Sequence, residues 1–173
     1  QLNRQLTVAL DRRLGDRDRL SVQAYSKSLV DPRPRYENLF DNFDIFPEGQ
    51  SDRVLVAPDR GRSRGLELLY EHHGERLDWW VGYALSEAED RIDGVWVPRS
   101  WDQRHALSYS LNLRPTRHWN INVAGLHHSG WPATDVLLIL EPPEDPRLVP
   151  GPRNSGSRSD YHRIDLPASR SFT

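Results

Sequence analysis

The sequence contains no cysteine and no methionine, and its apolar residues never form a long uninterrupted run. Without cysteine, the chain can have neither a disulfide framework nor a thiolate metal site. A membrane helix needs roughly 18 consecutive apolar residues, so a helical membrane protein is excluded. A membrane β-barrel is not excluded, because only alternate residues of its strands face lipid.

The chain also lacks a strong charge of either sign. Lys and Arg total 23 against 25 Asp and Glu, a formal net charge of -2, which gives no reason to expect a nucleic-acid partner. The sequence has no glycine-rich phosphate loop, no nucleophile elbow and no Ser/His/Asp set marked by spacing. We therefore expect neither enzymatic activity nor a bound cofactor.

The missing methionine bears on whether these residues belong to a longer protein. The sequence begins at Gln1, inside an alternating pattern. We expect these 173 residues to be a piece of a longer polypeptide. A missing signal peptide then says nothing about location.

Side chains alternate in character, with a period of two, along most of the chain. The segment 107–111, for example, reads Leu-Ser-Tyr-Ser-Leu. Successive side chains of a strand point to opposite faces, so such a segment separates an apolar environment from a polar one. The pattern predicts seven antiparallel strands, at about 4–12, 19–29, 62–71, 77–86, 106–113, 119–124 and 161–171.

The connections between these strands alternate between short and long. Turns near 14–18, 73–76 and 114–117 are short, whereas the loops near 30–61, 91–102 and 130–159 are long. In the third long loop, residues 135–140 could form a strand extension. An up-and-down meander then has its short turns on one rim and its long loops on the other, as in outer-membrane barrels. Trp79 and Trp119 begin strands beside short turns, as an aromatic girdle at one membrane interface requires.

Seven strands do not make a finished barrel of this kind. Single-chain bacterial barrels have even strand numbers, and unpaired sheet edges are not tolerated in lipid. The remaining strands are therefore expected to come from outside this chain.

Five segments resemble the β-barrel of TonB-dependent outer-membrane receptors in their order and spacing. The first reads Ser-Arg-Gly-Leu-Glu-Leu, and the segments together are 63–68, 80–90, 97–107, 130–134 and 161–166. The first sixty residues fit by pattern only. The resemblance implies an all-β, 22-stranded transmembrane barrel with an N-terminal plug, of which residues 1–173 are a late part without the plug or the last strands.

The resemblance also implies a function and a location. The intact receptor would import a scarce nutrient, such as a siderophore–iron complex, cobalamin or a glycan, across the outer membrane of a Gram-negative cell. The energy would come from the TonB complex, bound by an N-terminal part absent from this chain. The other expected partners are the lipid bilayer, lipopolysaccharide and the small-molecule nutrient itself.

The long loops hold the residues that we expect to contact such a ligand. The candidates are Arg99, Trp101 and Trp131. The competing interpretation of each is packing within the loops or contact with lipid headgroups. Either interpretation sets these residues at the rim rather than within the strands.

Other polar residues are interpreted as structural. The pairs His72-His73 and His127-His128 are not expected to bind a metal ion, because adjacent strand residues point to opposite faces. The acids Glu87, Glu89, Asp90 and Asp93 do not match an EF-hand loop and are expected to be solvated. The charges expected to line a solvated interior and pair across strands are Arg64, Glu67, Glu71, Arg163 and Asp165.

Two alternatives to a transport receptor remain open at this point. One is a soluble lipocalin-like β-barrel that binds a small apolar ligand on an inward apolar face. The other is a surface adhesin or an assembly barrel without transport. The long loops on a single rim favour a membrane barrel over the soluble one.

Overall fold

The computed structural model describes residues 2–40, 51–140 and 147–172, and of residues 147 and 148 only the backbone. Every regular element in the described part is a β-strand, so the prediction of an all-β chain is confirmed. The strands are β1 (Leu2–Arg13), β2 (Asp18–Val30), β3 (Arg35–Asn38), β4 (Arg53–Val56), β5 (Arg60–His73), β6 (Leu77–Ile92), β7 (Val95–Pro98), β8 (His105–Thr116), β9 (Trp119–His128), β10 (Pro132–Ala133), β11 (Val136–Ile139), β12 (Arg147–Pro150), β13 (Gly156–Ser157), β14 (Tyr161–Asp165) and β15 (Ala168–Arg170).

One antiparallel sheet organises the chain, with strand order β1-β2-β5-β6-β8-β9-β14. This is the up-and-down meander that the alternation predicts, with the short turns on one rim and the long connections on the other. β7 adds to the outer part of β6, and β15 continues the pairing of β14 along β9. Among the described residues the sheet does not close on itself, and β1 and β14 form its edges.

The predicted seventh strand is interrupted at Pro167. β14 ends at Asp165 and β15 begins at Ala168, yet both keep one register against β9. Proline has no N–H to give to a sheet and is tolerated on an edge strand. The Pro167 carbonyl still accepts a hydrogen bond from the Asn122 N–H at 2.9 Å.

The long connections carry short hairpins of their own. β3 pairs with β4, β10 with β13, and β11 with β12. The predicted extension at 135–140 is therefore a strand, but it pairs within its own loop. β6 and β7 meet at a two-residue turn in which Asp93 has φ 50° and Gly94 has φ 83°. Two successive positive φ values are typical of a type I′ hairpin turn.

The sheet has an apolar face that nothing in the described chain covers. Leu6, Val8 and Leu10 are 67%, 62% and 61% exposed, and Ile164 on the far edge is 65% exposed. Val56 is the one hydrophobic residue that is fully buried among the described residues. The fold is therefore held by strand pairing and by polar contacts at one rim, and not by an internal apolar core.

Two tyrosines lie over glycines that are their direct partners in the sheet. Tyr25 opposes Gly65 on the polar face, and Tyr109 opposes Gly125 on the apolar face. A Cβ at Gly65 would come within 2.7 Å of the Tyr25 ring, and one at Gly125 within 2.2 Å of the Tyr109 ring. An aromatic ring that covers a strand glycine replaces the packing that the glycine lacks.

The exposed apolar face predicts that the chain needs an amphiphile. In plain buffer it should form aggregates, because no described residue covers its apolar face or pairs with its two edges. In detergent micelles it should elute as one species with β-rich circular dichroism. Size-exclusion chromatography in both conditions tests this, and a monodisperse sample without detergent would contradict it.

Candidate ligand-binding site at the long-loop rim

The buried polar side chains of the described chain concentrate at the long-loop rim. They are Glu37, Asn38, Glu89, Asp90, Ser100, Asp102, His128, Thr134 and Asn154. Burying a polar group costs free energy unless it forms hydrogen bonds. The partners of these groups therefore explain how the long loops are held.

Asp90 lies at the centre of this arrangement and is 2% exposed. Its Oδ1 accepts hydrogen bonds from Arg99 Nη2 at 2.7 Å and from Arg99 Nε at 3.0 Å. Its Oδ2 accepts one from Arg35 Nη2 at 2.7 Å. Both carboxylate oxygens thus have charged donors, which offsets the cost of burial.

Glu37 joins all three long loops. It accepts hydrogen bonds from Arg35 in its own loop, from Ser100 Oγ at 2.7 Å in the second loop, and from Arg153 in the third. Asn154 adds a bond from its Nδ2 to the Pro98 carbonyl at 2.8 Å. We refer to Arg35, Glu37, Asp90, Arg99, Ser100, Arg153 and Asn154 as the rim cluster.

The rim cluster contains three guanidinium groups and two carboxylates, an excess of one positive charge. Burial lowers the pKa of the Arg153 guanidinium from its ordinary value, and the carboxylate of Glu37 opposes this shift. An arginine stays protonated in proteins even so. Of the cluster, Arg99 faces the space beside it, where Lys27 and Arg62 of the sheet add two further cations.

That space is a cavity of about 310 Å³ on the polar face of the sheet. Its walls come from β1, β2, β5, β6 and the second long loop. The lining residues are Asn3, Tyr25, Lys27, Leu29, Arg62, Ser63, Ser86, Ala88, Arg99, Trp101, Asp102 and Gln103. We refer to it as the rim cavity.

Two of the three predicted ligand contacts, Arg99 and Trp101, line the rim cavity together. The Arg99 side chain is 16% exposed because Asp90 holds it, so it serves the cluster as well as the cavity wall. Trp101 is 47% exposed, with the Arg35 guanidinium 5.1 Å and the Arg99 guanidinium 6.0 Å from its ring centroid. Cations over an indole face hold the ring by cation–π attraction.

Trp131, the third candidate, lies elsewhere on the rim and does not line this cavity. Its ring packs against His128, with centroids 4.9 Å apart. His128 in turn stacks on Tyr161 at 5.2 Å. The structure thus brings two predicted contacts together and leaves the third with a separate aromatic group at the β9–β14 edge.

Tyr25 and Lys27 also line the rim cavity and were not among the predicted ligand contacts. Both lie on the polar face of β2, and the Lys27 Nζ is 5.4 Å from the Tyr25 ring centroid. Their alternate positions on a predicted strand were visible, but nothing in the sequence indicated that β2 lies beside the second long loop. An open pocket with aromatic faces and cations suits a ligand with planar and anionic groups.

Asp102 forms part of the cavity wall beside β6. Its Oδ1 accepts a hydrogen bond from the Ala88 N–H at 2.7 Å. Burial raises the pKa of this carboxyl above its ordinary value of 3.8. The folded chain therefore favours the neutral carboxyl of Asp102. Its contribution to the stability of the fold is fully present below pH 3.8 and is lost as the pH rises through the raised pKa.

Two expectations for the acidic and basic residues need correction. Glu89 and Asp90 are buried and paired with arginines, so the expectation of solvated acids is wrong for them. Arg64 does not share a face with Glu67, since residues three apart lie on opposite faces. It pairs with Glu87 at the end of the apolar face.

Among the other charges expected to pair across strands, Glu71 does so. Arg19 on β2 contacts Asp11 on β1 and Glu71 on β5, with N–O distances of 3.0 Å and 3.4 Å. This is cross-strand pairing on the polar face. Arg163 pairs with Asp165 along its own strand instead, at 3.1 Å.

No protein-family model, no curated protein and no solved structure matches this chain. Across the residues that the structure describes, no helix has the length and apolar character to cross a membrane.

The rim cluster predicts a strong effect of removing one buried charge. Asp90→Asn leaves two guanidinium groups facing a neutral side chain, and we expect a loss of about 3 kcal/mol of stability. Asp165→Asn breaks an exposed pair on the same sheet and should leave stability nearly unchanged. Urea unfolding in micelles measures both variants, and equal effects would contradict a structural role for the cluster.

Proposed function

We propose that this chain is part of the barrel of a TonB-dependent outer-membrane receptor, which imports a scarce nutrient with energy delivered through the TonB complex. The nutrient class is that of siderophore–iron complexes, cobalamin or glycans. The plug and the TonB-binding segment of such a receptor would come from sequence outside these residues. The observation that carries the proposal is the course of the apolar face across the sheet.

The apolar stretch on each strand lies between polar or interfacial flanks. On β1, for example, Arg4 and Arg12 flank an apolar stretch centred on Val8. The midpoints of the stretches, from β1 across the sheet, are Val8, Val22, Leu68, Val81, residue 110, Val123 and Leu166. These midpoints form a band.

The band crosses the strands obliquely. From Val8, the directly opposed positions on successive strands are Ala24, Leu66, Leu85, His105 and Ser129. On β9 the midpoint, Val123, is six residues from Ser129. From β1 to β9 the band thus shifts along the strands by six residues, or about 20 Å, while it crosses five strand spacings, or about 24 Å. The ratio of these two lengths is the tangent of the angle between the strands and the normal to the band. The strands are therefore tilted by about 40° from that normal.

A tilt of about 40° agrees with the 35–45° of strands in outer-membrane barrels. The lipid boundary is parallel to the membrane plane, whereas the strands of a barrel are tilted from the membrane normal. An apolar band that matches the lipid therefore crosses the strands obliquely. Aromatic rings lie at the short-turn end of the band. Trp79 stacks on Tyr70 at 5.1 Å, and the exposed Trp119 has the Arg170 guanidinium 5.5 Å from its ring centroid.

The polar face supports the transport part of the proposal. It carries Ser, Asn, Gln and paired charges, as a water-filled or plugged interior does. The rim cavity opens on this same face at the long-loop end, where an incoming nutrient would first meet the receptor. Arg99 and Trp101 would contact it there, with Trp131 on a second part of the rim.

The first test asks which rim faces the cell exterior. The native protein receives a protease site between Asp93 and Gly94, in the exposed β6–β7 turn, or between Gly15 and Asp16, in a short turn on the other rim. On intact cells we expect cleavage at the first site only, and at both once the outer membrane is permeabilised. Protection of both sites on intact cells, with a soluble product after lysis, would favour the lipocalin-like alternative.

The second test asks which face meets lipid. The chain contains no cysteine, so Leu68→Cys and the adjacent Glu67→Cys each place one fluorescent label on one face of β5. In membranes, a lipid-attached quencher should reduce the emission of the label at 68, and iodide that of the label at 67. Equal responses at the two positions would exclude a lipid-facing apolar band.

A further inference from the structure

Three side chains meet on the apolar face of the β9–β14 pair, at its long-loop end. His127 and His162 are direct register partners. Their Nδ1 atoms are 3.1 Å apart and their rings are stacked, with centroids separated by 4.3 Å. Asp160 precedes His162 by two residues, and one ligand atom from each of the three residues lies within 4.8 Å of the others.

We propose that His127, Asp160 and His162 bind a divalent transition-metal ion, of which Zn²⁺ is the best match. Two zinc-bound imidazole nitrogens at about 2.0–2.1 Å in tetrahedral geometry lie about 3.3 Å apart, close to the distance between these two Nδ1 atoms. One carboxylate and two imidazoles suit zinc or copper, whereas Ca²⁺ and Mg²⁺ prefer sites made only of oxygen.

A backbone hydrogen bond orients the carboxylate of Asp160 without any metal ion. Its Oδ1 accepts a hydrogen bond from the Gly130 N–H at 2.9 Å, which leaves Oδ2 for a metal ion. Such contacts from outside the ligand shell fix the direction of a ligand and are typical of metal sites. The three residues leave a fourth tetrahedral position for a further ligand, and the side chains of Asp160 and His162 are exposed.

Neighbouring histidines are engaged elsewhere. His105, one strand away, has its Nδ1 2.8 Å from the Tyr83 hydroxyl. His128 follows His127 but points to the polar face, where Trp131 and Tyr161 pack on it. The site therefore uses one histidine from each of two strands rather than the adjacent pair in the sequence.

A bound ion would join the two ends of the third long loop. His127 is the penultimate residue of β9 and Asp160 directly precedes β14, so the ligands flank the connection between the two strands. An ion that binds only the folded form stabilises that form. The site lies on the face opposite the rim cavity, so the proposal does not rest on nutrient binding or on transport.

Zinc titration of the native protein in detergent, against a chromophoric chelator, tests the proposal. We expect one equivalent of Zn²⁺ to bind, with affinity lowered more than about tenfold in His162→Gln and in Asp160→Asn. His73→Ala, which removes an exposed histidine at the other rim, should bind as the wild type does. No saturable Zn²⁺ binding, or unchanged binding in both ligand variants, would overturn the proposal.

Two further measurements separate a built site from loose surface binding. Co²⁺ in place of Zn²⁺ should give the intense visible absorption of a tetrahedral complex, which His162→Gln should lose. Zn²⁺ should also raise the thermal midpoint of the wild type and of His73→Ala but not of His162→Gln. A weak octahedral Co²⁺ spectrum with no thermal shift would count against the site even if zinc is retained.

Discussion

The pairing of backbone N–H and C=O groups across seven successive strands is the constraint on which everything else in this structure depends. Each strand between the two edges has hydrogen-bonded neighbours on both sides, so the direction of every side chain follows from its place in the register. A slip of one residue would move a whole strand's apolar set to the polar face. The two-faced character of the sheet is thus a property of the register rather than of any single contact.

The rim cluster solves a different problem, which is how to order long loops without an apolar core. Asp90 and Glu37 accept charged donors from three separate loops, and in the described chain only Val56 contributes a fully buried hydrophobic side chain nearby. A buried ion network is costly to desolvate and demands good geometry, but once formed it is specific. Arg35 and Arg99 of this network hold Trp101, and Arg99 also lines the rim cavity, so contacts that order the loops also shape the cavity.

The positions of the seven meander strands followed from the sequence because a period of two is a local signal, whereas most of the short strands within the long loops did not. In the segments around Leu107 and Ile121, five residues are enough to show which side chains share a face. The short turns near Gly15 and Gly74 indicate the hairpins. The loop contacts did not follow, because Glu37 meets Ser100 and Arg153 across 63 and 116 residues. The pairing of His127 with His162 was equally hidden, since it depends on the register of β9 against β14 across the third long loop.

The two tyrosine–glycine pairs have a consequence for how the strands find their places. Alternation of polar and apolar side chains rejects a slip of one residue but is blind to a slip of two, which keeps every side chain on its own face. A slip of two would bring Tyr25 opposite Ser63 or Glu67 in place of Gly65, and Tyr109 opposite Val123 or His127 in place of Gly125. Each ring would then meet a side chain in the space that only a glycine leaves open. These two pairs, one on each face, therefore favour the correct register over the register shifted by two residues, which the polar and apolar pattern alone would allow.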